Sequence, residues 1–394
     1  MKIVYLAKGK VHLLEDGKAP KVIESKFGQT VRDRAVRIIQ RDAWKNEGSG
    51  ARFMSGRLLW GDAGRDPAEM RIAVKSLSRS PESDRLLYAL ETDDMGGIFS
   101  ISTCDLEEQR LFHHAKYFVE HLCAAPGHGL IACAVRNRGG TANIAIMKAD
   151  GSDLKEVTEG DSVDLAPSWM PGRPMELLFQ SAGVGRDSAG IYRDLGPFSI
   201  CSLDLTRGEI VSLAENPRCD FLGPRMSEDG ALFYISRPYK PAAPAASPLQ
   251  AFKDFLLFPF RLLFAVFQWL NFFTARYTGR PLTTAGGPRK EGADIRQMMI
   301  WGNLINANEA IRAKYRDTGE VPGLVPATWQ LVREKAGHRE VLAKGVLSYD
   351  LCVDGSIVYT NGNAIYRREP EGNCRKLHVD DGIEQVIDMV DLNS

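Results

Sequence analysis

The stretch from Ser162 to Gly183, SVDLAPSWMPGRPMELLFQSAG, predicts two β-strands joined by a Pro-Gly turn. A second predicted pair follows directly in PFSICSLDLTRGEIVSL, from Pro197 to Leu213. Together the two pairs indicate a unit of four consecutive antiparallel strands.

The same unit recurs along the chain of 394 residues. An apolar second strand begins near residues 3, 86, 130, 176, 231 and 356, and the central spacings of 44 and 46 residues match a four-stranded propeller blade of about 40–50 residues. One blade cannot bury both of its faces alone, so several must pack in a ring. The sequence therefore predicts an all-β fold, a single six-bladed β-propeller over residues 1–394.

The two chain ends provide the clearest pair of repeats. KIVYLAKGKVHLLEDGKAPKVIES, Lys2–Ser25, aligns with SIVYTNGNAIYRREPEGNCRKLHVD, Ser356–Asp380. The N-terminal copy supplies only three strands, with a tight turn at Lys8-Gly9. The apolar segment GIEQVIDMVDL, which begins at Gly382, is predicted to supply the missing inner strand, so that the N- and C-terminal strands close one blade without an open edge.

The opening stretch also carries a family resemblance. DLAPSWMPGRPMELLFQS resembles the TolB-like β-propeller repeat, with matching positions at Asp164, Pro167, Trp169, Pro171, Gly172, Phe179 and Ser181. SEDGALFYIS and CVDGSIVYT carry the same Asp-Gly turn, whereas Met170 replaces the usual serine. The resemblance covers roughly 250 residues and implies a propeller whose relatives are mostly scaffolds, peptide binders or regulatory domains.

Residues 26–70 interrupt the regular spacing. FGQTVRDRAVRIIQRDAWKNEGSG places apolar residues at helical intervals from Val31 to Ala43, and Gly48 marks a stop. ARFMSGRLLWGD after it predicts a hairpin. This segment is interpreted as a helix-plus-hairpin insertion, or as a degenerate extra blade that would make the ring seven-bladed.

A longer interruption, residues 239–325, falls inside one predicted blade. A Pro/Ala linker and a helix start at Ser247 precede FKDFLLFPFRLLFAVFQWLNFFTAR, Phe252–Arg276, and a second helix is predicted over Ala293–Asp317. The apolar helix, about residues 247–277, carries a narrow polar stripe of Asp254, Arg261 and Gln268. A single membrane crossing is excluded because both ends must return to the same blade and no second apolar span exists.

The apolar helix is therefore predicted to lie in the membrane interface. The predicted membrane or partner contacts are Phe255, Leu256, Phe258, Phe260, Leu263, Phe264, Phe267, Trp269, Leu270, Phe272 and Phe273, and the predicted lipid headgroup contacts are Lys253, Arg276, Arg280, Arg289 and Lys290. Between residues 239 and 296 eight basic residues stand against three acidic ones, which favours anionic lipid. Burial within the protein and docking onto a partner or a second copy remain alternatives.

Composition limits the remaining functions. The formal net charge is zero, which argues against a nucleic-acid partner. The seven cysteines are scattered and the N-terminus reads as a strand, so a cytoplasmic protein attached peripherally to a membrane is expected. His113-His114 on a strand would point to opposite faces, and His121 and Cys123, which would share a face, are too few for a metal site. Gly183–Gly196 is interpreted as a surface loop.

No catalytic residue, metal or cofactor is assigned from the sequence. Asp161 and Asp164 could face a central channel, although acids at strand ends are commonly solvated. The function expected is a non-catalytic scaffold that binds a protein or peptide partner. The alternatives are a propeller enzyme, a hydrolase or lyase with a pocket at the channel mouth, and an obligate subunit that docks through the apolar helix.

Overall fold

Twenty-seven β-strands and one helix make up the described part of the chain. The computed structural model describes residues 1–42, 72–81, 84–93, 95–115, 117–137, 139–240, 297–300, 303–306 and 321–389. Its larger sheets are four of four strands and one of nine strands, and the nine-stranded sheet divides into two groups at the contact of β10 with β12, which gives six strand groups. One of the six groups contains strands from both chain ends.

Each group is called a sheet. Sheets 1 to 5 are numbered in chain order, and sheet 6 is the one that contains both chain ends. Sheet 1 contains β4 (Ala73–Arg79), β5 (Arg85–Glu91), β6 (Met95–Ser102) and β7 (Glu108–Ala115). Sheet 2 contains β8 (Phe118–Ala124), β9 (Leu130–Arg136), β10 (Ala142–Lys148) and β11 (Lys155–Glu156). Sheet 3 contains β12 (Ser162–Met170), β13 (Arg173–Arg186), β15 (Ser199–Asp204) and β16 (Glu209–Ala214), with β14 (Tyr192–Leu195) paired to the end of β13.

The other three sheets follow the same order. Sheet 4 contains β17 (Cys219–Met226), β18 (Leu232–Pro238), β21 (Gln330–Lys335) and β22 (His338–Lys344). Sheet 5 contains β23 (Ser348–Leu351), β24 (Ile357–Thr360), β25 (Ala364–Arg368) and β26 (Cys374–Val379). Sheet 6 contains β27 (Ile383–Asp388), β1 (Lys2–Ala7), β2 (Lys10–Glu15) and β3 (Lys21–Ile23). One parallel pair, Ala142 with Val163, connects sheets 2 and 3.

The predicted positions of the second strands are confirmed. β1, β5, β9, β13, β18 and β24 begin at or within three residues of the six predicted positions, and each is the second strand of its sheet. The pairing of the chain ends is also confirmed, because β27 lies antiparallel to β1 with Ile3 opposite Asp388. Lys8 and Gly9 form the tight turn between β1 and β2 with positive φ angles of 52° and 71°.

The core lies between neighbouring sheets. Apolar residues of sheets 6 and 1 form one buried cluster, which includes Leu6, Leu77 and Tyr88. Separate clusters join sheet 1 to sheet 2, sheet 5 to sheet 6 and sheet 3 to sheet 4. Because every sheet contributes to at least one of these clusters, the sheets depend on one another for stability, as expected for a propeller.

Helix α1 (Lys26–Asp42) lies within residues 26–70, the segment for which a helix is predicted. Its N-terminus is capped twice: Ser25 Oγ accepts a hydrogen bond from Gly28 N at 3.1 Å, and the carboxylate of Glu108 accepts from Lys26 N and Phe27 N at 2.8 and 2.9 Å. The acid therefore ties the helix to β7 of sheet 1. The hairpin predicted after the helix lies outside the described residues.

The second helix predicted in the insertion is wrong over its described residues. Gln297–Ile300 and Asn303–Asn306 form two antiparallel strands, β19 and β20, in a compact unit separate from the sheets. Two short apolar runs flank Gly302 in the sequence, and glycine disfavours a helix interior while permitting a turn. The apolar helix predicted at 247–277 lies outside the described residues.

Candidate functional site

The first strands of the six sheets contact one another in chain order. β4 contacts β8, β8 contacts β12, β12 contacts β17, and β27 contacts both β23 and β4. Tyr349 Oη donates to Gly223 O at 2.6 Å and so connects β23 with β17. The side chains carried by these strands therefore meet in one central region.

Three of the first strands have a bulge at the same position. In β8, β12 and β17 the pairing register shifts by one residue at His121, Ala166 and Gly223, whose φ angles are 52°, 52° and 59°. Two residues further along each strand lie Cys123, Ser168 and Arg225. Bulges redirect side chains and are frequent beside functional sites, so these three residues are candidates for a site.

Short polar side chains fasten neighbouring first strands together. Ser76 Oγ and Ser78 Oγ on β4 accept hydrogen bonds from Leu122 N and Ala124 N on β8, at 2.9 and 3.0 Å. Gln385 on β27 both accepts from Leu77 N and donates to Leu77 O, each at 2.8 Å. These contacts satisfy backbone groups that the sheets leave unpaired.

A cluster of two arginines around one aspartate, named here the charged clasp, joins four sheets. Asp350 of β23 is 3% exposed and receives Arg79 Nη2 of β4 on one oxygen and Arg225 Nη1 of β17, at 3.3 Å, on the other. Arg79 Nε also donates to Asp388 O at 2.6 Å, and Asp388 N donates to Asp350 Oδ2 at 3.0 Å. The clasp consists of Arg79, Arg225, Asp350 and Asp388.

The charges within the clasp are unequal. Burial raises the pKa of the Asp388 carboxyl, and the nearby Asp350 carboxylate raises it further. Two guanidinium groups therefore lie beside the Asp350 carboxylate, while the neighbouring Asp388 carboxyl resists ionisation. Arg225 keeps 31% of its side chain exposed, so this guanidinium is accessible to solvent.

Cys123 lies close enough to the clasp to interact with its charges. Burial raises the pKa of the Cys123 thiol, and its backbone oxygen accepts a hydrogen bond from Trp169 Nε1 at 3.0 Å. A protonated thiol is a weak nucleophile. The arrangement is suited to holding strands together and to attracting an anion, and it contains no activated nucleophile among the residues just named.

The histidines selected from the sequence do not assemble into a site. His113 and His114 both lie exposed on β7, an outer strand. The prediction that His121 and Cys123 share a face assumed a regular strand. That assumption is wrong, because the bulge in β8 interrupts the two-residue alternation between them. Within the described ranges no group of three or more His, Cys, Asp or Glu side chains has the geometry to hold a metal ion.

The predicted loop at Gly183–Gly196 is largely a hairpin. β13 continues to Arg186 and pairs with β14, so the surface-loop interpretation is corrected. Arg186 reaches back to Asp161 with Nη2–Oδ1 at 2.6 Å, while Asp164 is buried and accepts from Ser181 Oγ at 2.7 Å. Neither acid belongs to the charged clasp.

All residues predicted to contact a membrane or partner through the apolar helix lie outside the described residues. These are Phe255, Leu256, Phe258, Phe260, Leu263, Phe264, Phe267, Trp269, Leu270, Phe272 and Phe273, with Lys253, Arg276, Arg280, Arg289 and Lys290. In the part of the chain that the structure does describe, no helix combines the length and hydropathy required to cross a bilayer.

Sequence reasoning did not select the clasp. More than a hundred residues separate Arg79 from Arg225, and Arg225 from Asp350. None of the three belongs to a recognised motif. The only available signal was positional: each lies near the end of a first strand in its repeat. An alignment of the repeats at their bulges places Arg225 where sheet 3 has Ser168, and this charged substitution inside a repeat is the feature that could have identified it.

Comparisons with known proteins identify the fold. Neither sequence models of protein families nor curated protein sequences match the chain. Among solved structures, TolB from Acinetobacter baumannii matches with a TM-score of 0.50 at 11% identity, over 98% of this chain and 65% of that chain. A chain of the nidogen/laminin complex matches with a TM-score of 0.50 at 9% identity, over 98% of this chain and 97% of that chain. The chain has a TolB-like β-propeller fold and spans about two thirds of the TolB chain.

Proposed function

We propose that the chain is a six-bladed propeller scaffold that binds a protein or peptide partner along the edge of strand β16. The observation that carries this proposal is the exposure of apolar residues on that strand: Ile210, Val211 and Leu213 are 52%, 53% and 43% exposed. β16 ends its sheet, so its outer edge pairs with no described strand. An extended peptide can add to such an edge through backbone hydrogen bonds, with side-chain contacts to the apolar residues.

The other outer strands support the choice of β16. β7 exposes Gln109 and Arg110, and β26 exposes Arg375 and Lys376, which are the polar and charged residues that normally prevent edge-to-edge pairing. β16 has the sequence EIVSLA with only Glu209 charged. An edge without this protection is suited to receiving a partner strand.

The scaffold interpretation is also supported by the central region. Asp350 and Arg79 direct their polar atoms at backbone and side chains of neighbouring sheets, and the thiol of Cys123 is held protonated by burial. These groups consolidate the ring, with six sheets as its blades and β27 closing it. We therefore place partner binding on the outer surface of the propeller, at the edge of β16.

The partner surface can be tested with Val211→Lys, which places a charge on the β16 edge. Val379→Lys is the matched control, since Val379 is 50% exposed on another outer strand, β26. Proteins cross-linked to each variant in native cells would be identified by mass spectrometry. We expect a partner that wild type and Val379→Lys retain and Val211→Lys loses; identical partner sets for all three proteins would refute the β16 edge.

The membrane part of the proposal concerns residues 247–290 and is supported by their sequence. An apolar helix with a narrow polar stripe and basic flanks binds anionic bilayers at the interface. Flotation with vesicles that contain anionic lipid would compare the intact chain with a version lacking residues 247–290. We expect only the intact chain to float. If both stay at the bottom of the gradient, attachment to lipid is wrong, and the β16 proposal is unaffected.

A further inference from the structure

A second region rich in cationic groups lies in sheet 4, away from the charged clasp. A cavity of about 240 Å³ opens between the end of β18 and the start of β21. Its walls include Ser236 and Arg237 on β18, Thr328 and Gln330 around the start of β21, and Arg339 on β22.

Arg237 is a buried cation with spare hydrogen-bonding capacity. Its side chain is 4% exposed, and its Nε donates to Asp220 Oδ2 at 2.8 Å. The other oxygen of Asp220 already accepts from Phe198 N at 3.0 Å. Nη1 of Arg237 is buried without a hydrogen-bond partner. Leaving such a donor unpaired is unfavourable, so the site favours an acceptor that the protein itself does not supply.

The environment of Arg237 fixes the position of its guanidinium group. Cζ lies 4.7 Å from the centre of the Trp329 ring, which holds the guanidinium against an aromatic face. Burial is the largest influence on the Arg237 pKa and lowers it, while Asp220 acts in the opposite direction. The net lowering means that Asp220 compensates the buried charge only in part.

Arg339 brings a second guanidinium to the same cavity. It lies near the rings of Phe221 and Tyr234, at 5.9 and 5.8 Å, and forms no ion pair with any residue in the described ranges. Its charge is therefore available to a ligand. Two guanidinium groups together with the Ser236 and Thr328 hydroxyls and the Gln330 amide supply more donors than the two oxygens of a carboxylate can accept.

We propose that this cavity binds a phosphate-class oxyanion, such as a phosphate monoester, between Arg237 and Arg339. Planar guanidinium groups recognise phosphate oxygens through paired N–H donors, and the hydroxyl and amide donors reach the remaining oxygens. The volume leaves room for a small substituent on the phosphate. The site lies where β18 leads into residues 239–325 and β21 follows them, so a bound anion would join the two strands that flank the insertion.

The test measures binding of inorganic phosphate and of glycerol phosphate to the full chain by calorimetry, with chloride at equal ionic strength as the reference. Arg339→Gln removes the exposed guanidinium. Arg333→Gln is the control, because it removes the same charge from the adjacent strand β21, where Arg333 pairs with Asp229 outside the cavity. Arg237→Lys keeps the charge beside Asp220 but removes the guanidinium fork.

We expect saturable phosphate binding by wild type and by Arg333→Gln, and at least tenfold weaker binding by Arg339→Gln and Arg237→Lys. No saturable heat with wild type at millimolar phosphate, or equal affinity for Arg339→Gln and Arg333→Gln, would overturn the proposal.

A vesicle arm separates a soluble ligand from a lipid headgroup. Arg339→Gln and Arg333→Gln are compared on phosphatidylcholine vesicles with and without phosphatidic acid. Weaker flotation of Arg339→Gln that depends on phosphatidic acid would assign the site to a headgroup phosphate. Equal flotation, together with the calorimetric difference, would assign it to a soluble phosphate. The β16 edge plays no part in either readout, so this proposal and the proposed function fail independently.

Discussion

Asp350 connects four sheets through a single carboxylate. It lies on sheet 5, receives Arg79 of sheet 1 and Arg225 of sheet 4, and accepts the backbone N–H of Asp388 in sheet 6. A buried carboxylate with charged and backbone donors on both oxygens is costly to remove, since every partner is then left without an acceptor. We therefore expect Asp350 to contribute strongly to the free energy of unfolding.

Asp350→Ala is expected to lower the free energy of unfolding by about 2–4 kcal/mol, because two guanidinium groups and the Asp388 N–H lose their acceptor while both arginines keep partial contact with solvent. Asp350→Asn should cost less, since its amide oxygen still accepts from Asp388 N. Asp229→Asn is the control: Asp229 also pairs with two cations, Arg333 and Lys335, but is 46% exposed.

Urea unfolding monitored by fluorescence gives the comparison. The exposed pair at Asp229 should be worth no more than about 1 kcal/mol. Equal losses for Asp350→Ala and Asp229→Asn would show that the clasp contributes no more than a surface ion pair.

His121 makes stability depend on pH. Burial lowers its pKa from 6.5 to about 4, so the unfolded chain takes up a proton at higher pH than the folded protein does. Unfolding is therefore increasingly favoured as the pH falls from about 7 to about 4, and this residue alone accounts for a loss of about 3 kcal/mol across that range.

His121→Asn removes the titrating group and keeps a residue that tolerates the left-handed backbone at φ 52°. We expect a shallower fall in unfolding free energy between about pH 7 and about pH 4 than in wild type, measured by chemical denaturation at each pH. Parallel curves for the two proteins would contradict the assignment. Carboxylates titrate in both proteins and cancel in the difference.

At the scale of the elements, the first strands are held together by side chains placed two residues apart. Ser76 and Ser78 on β4 accept from Leu122 N and Ala124 N on β8, and Ser348 and Asp350 on β23 accept from Val386 N and Asp388 N on β27. The same spacing thus fastens sheet 1 to sheet 2 and sheet 5 to sheet 6. Alternate residues of a strand point to one face, which explains the two-residue interval.

Ser78→Ala should lower the free energy of unfolding by about 1–2 kcal/mol, because the Ala124 N–H loses its acceptor. Ser212→Ala on the exposed strand β16 removes a hydroxyl that contacts Glu215 at 3.3 Å, and it should change stability by less than about 0.5 kcal/mol. Thermal unfolding of both variants beside wild type checks the difference. A Ser78→Ala protein as stable as Ser212→Ala would argue against the fastening role.

At the scale of the whole molecule, closure rests on β27. This strand pairs with β1 and contacts β23 and β4, and its Val386 and Ile387 belong to clusters with both neighbouring sheets. Sheet 6 therefore contains the last described strand beside the first three. Stability of the ring depends on bringing the two chain ends together, which is a contact of very high sequence separation.

A chain truncated after Asp381 lacks β27, and we expect it to lose cooperative unfolding and to aggregate through the bare edge of β1. A chain truncated after Met389 retains β27 and should unfold like wild type. A synthetic peptide of residues 381–394 added to the shorter chain should restore part of its solubility. Gel filtration and circular dichroism report both properties. Cooperative unfolding of the shorter chain without the peptide would show that β27 is dispensable.

Much of the fold could be predicted because it is local and repeated. Every predicted second strand, the helix after Ser25 and the pairing of the chain ends were found, since alternation, turn residues and repeat spacing are properties of short segments. The errors have local causes as well. The helix predicted over Ala293–Asp317 rested on apolar spacing that the antiparallel strands Gln297–Ile300 and Asn303–Asn306 satisfy equally. The shared face of His121 and Cys123 assumed a strand without a bulge.

The sequence by itself determined the all-β repeat, the starting positions of the second strands and the pairing of the chain ends. Only the tertiary structure decided which polar residues meet, as Arg79 and Arg225 do at Asp350. The physical reason is that hydrophobic alternation is encoded within each strand, whereas a charged pair depends on the packing of sheets that lie far apart in the chain. The stretch SVDLAPSWMPGRPMELLFQSAG could therefore reveal the fold while leaving the sites unassigned.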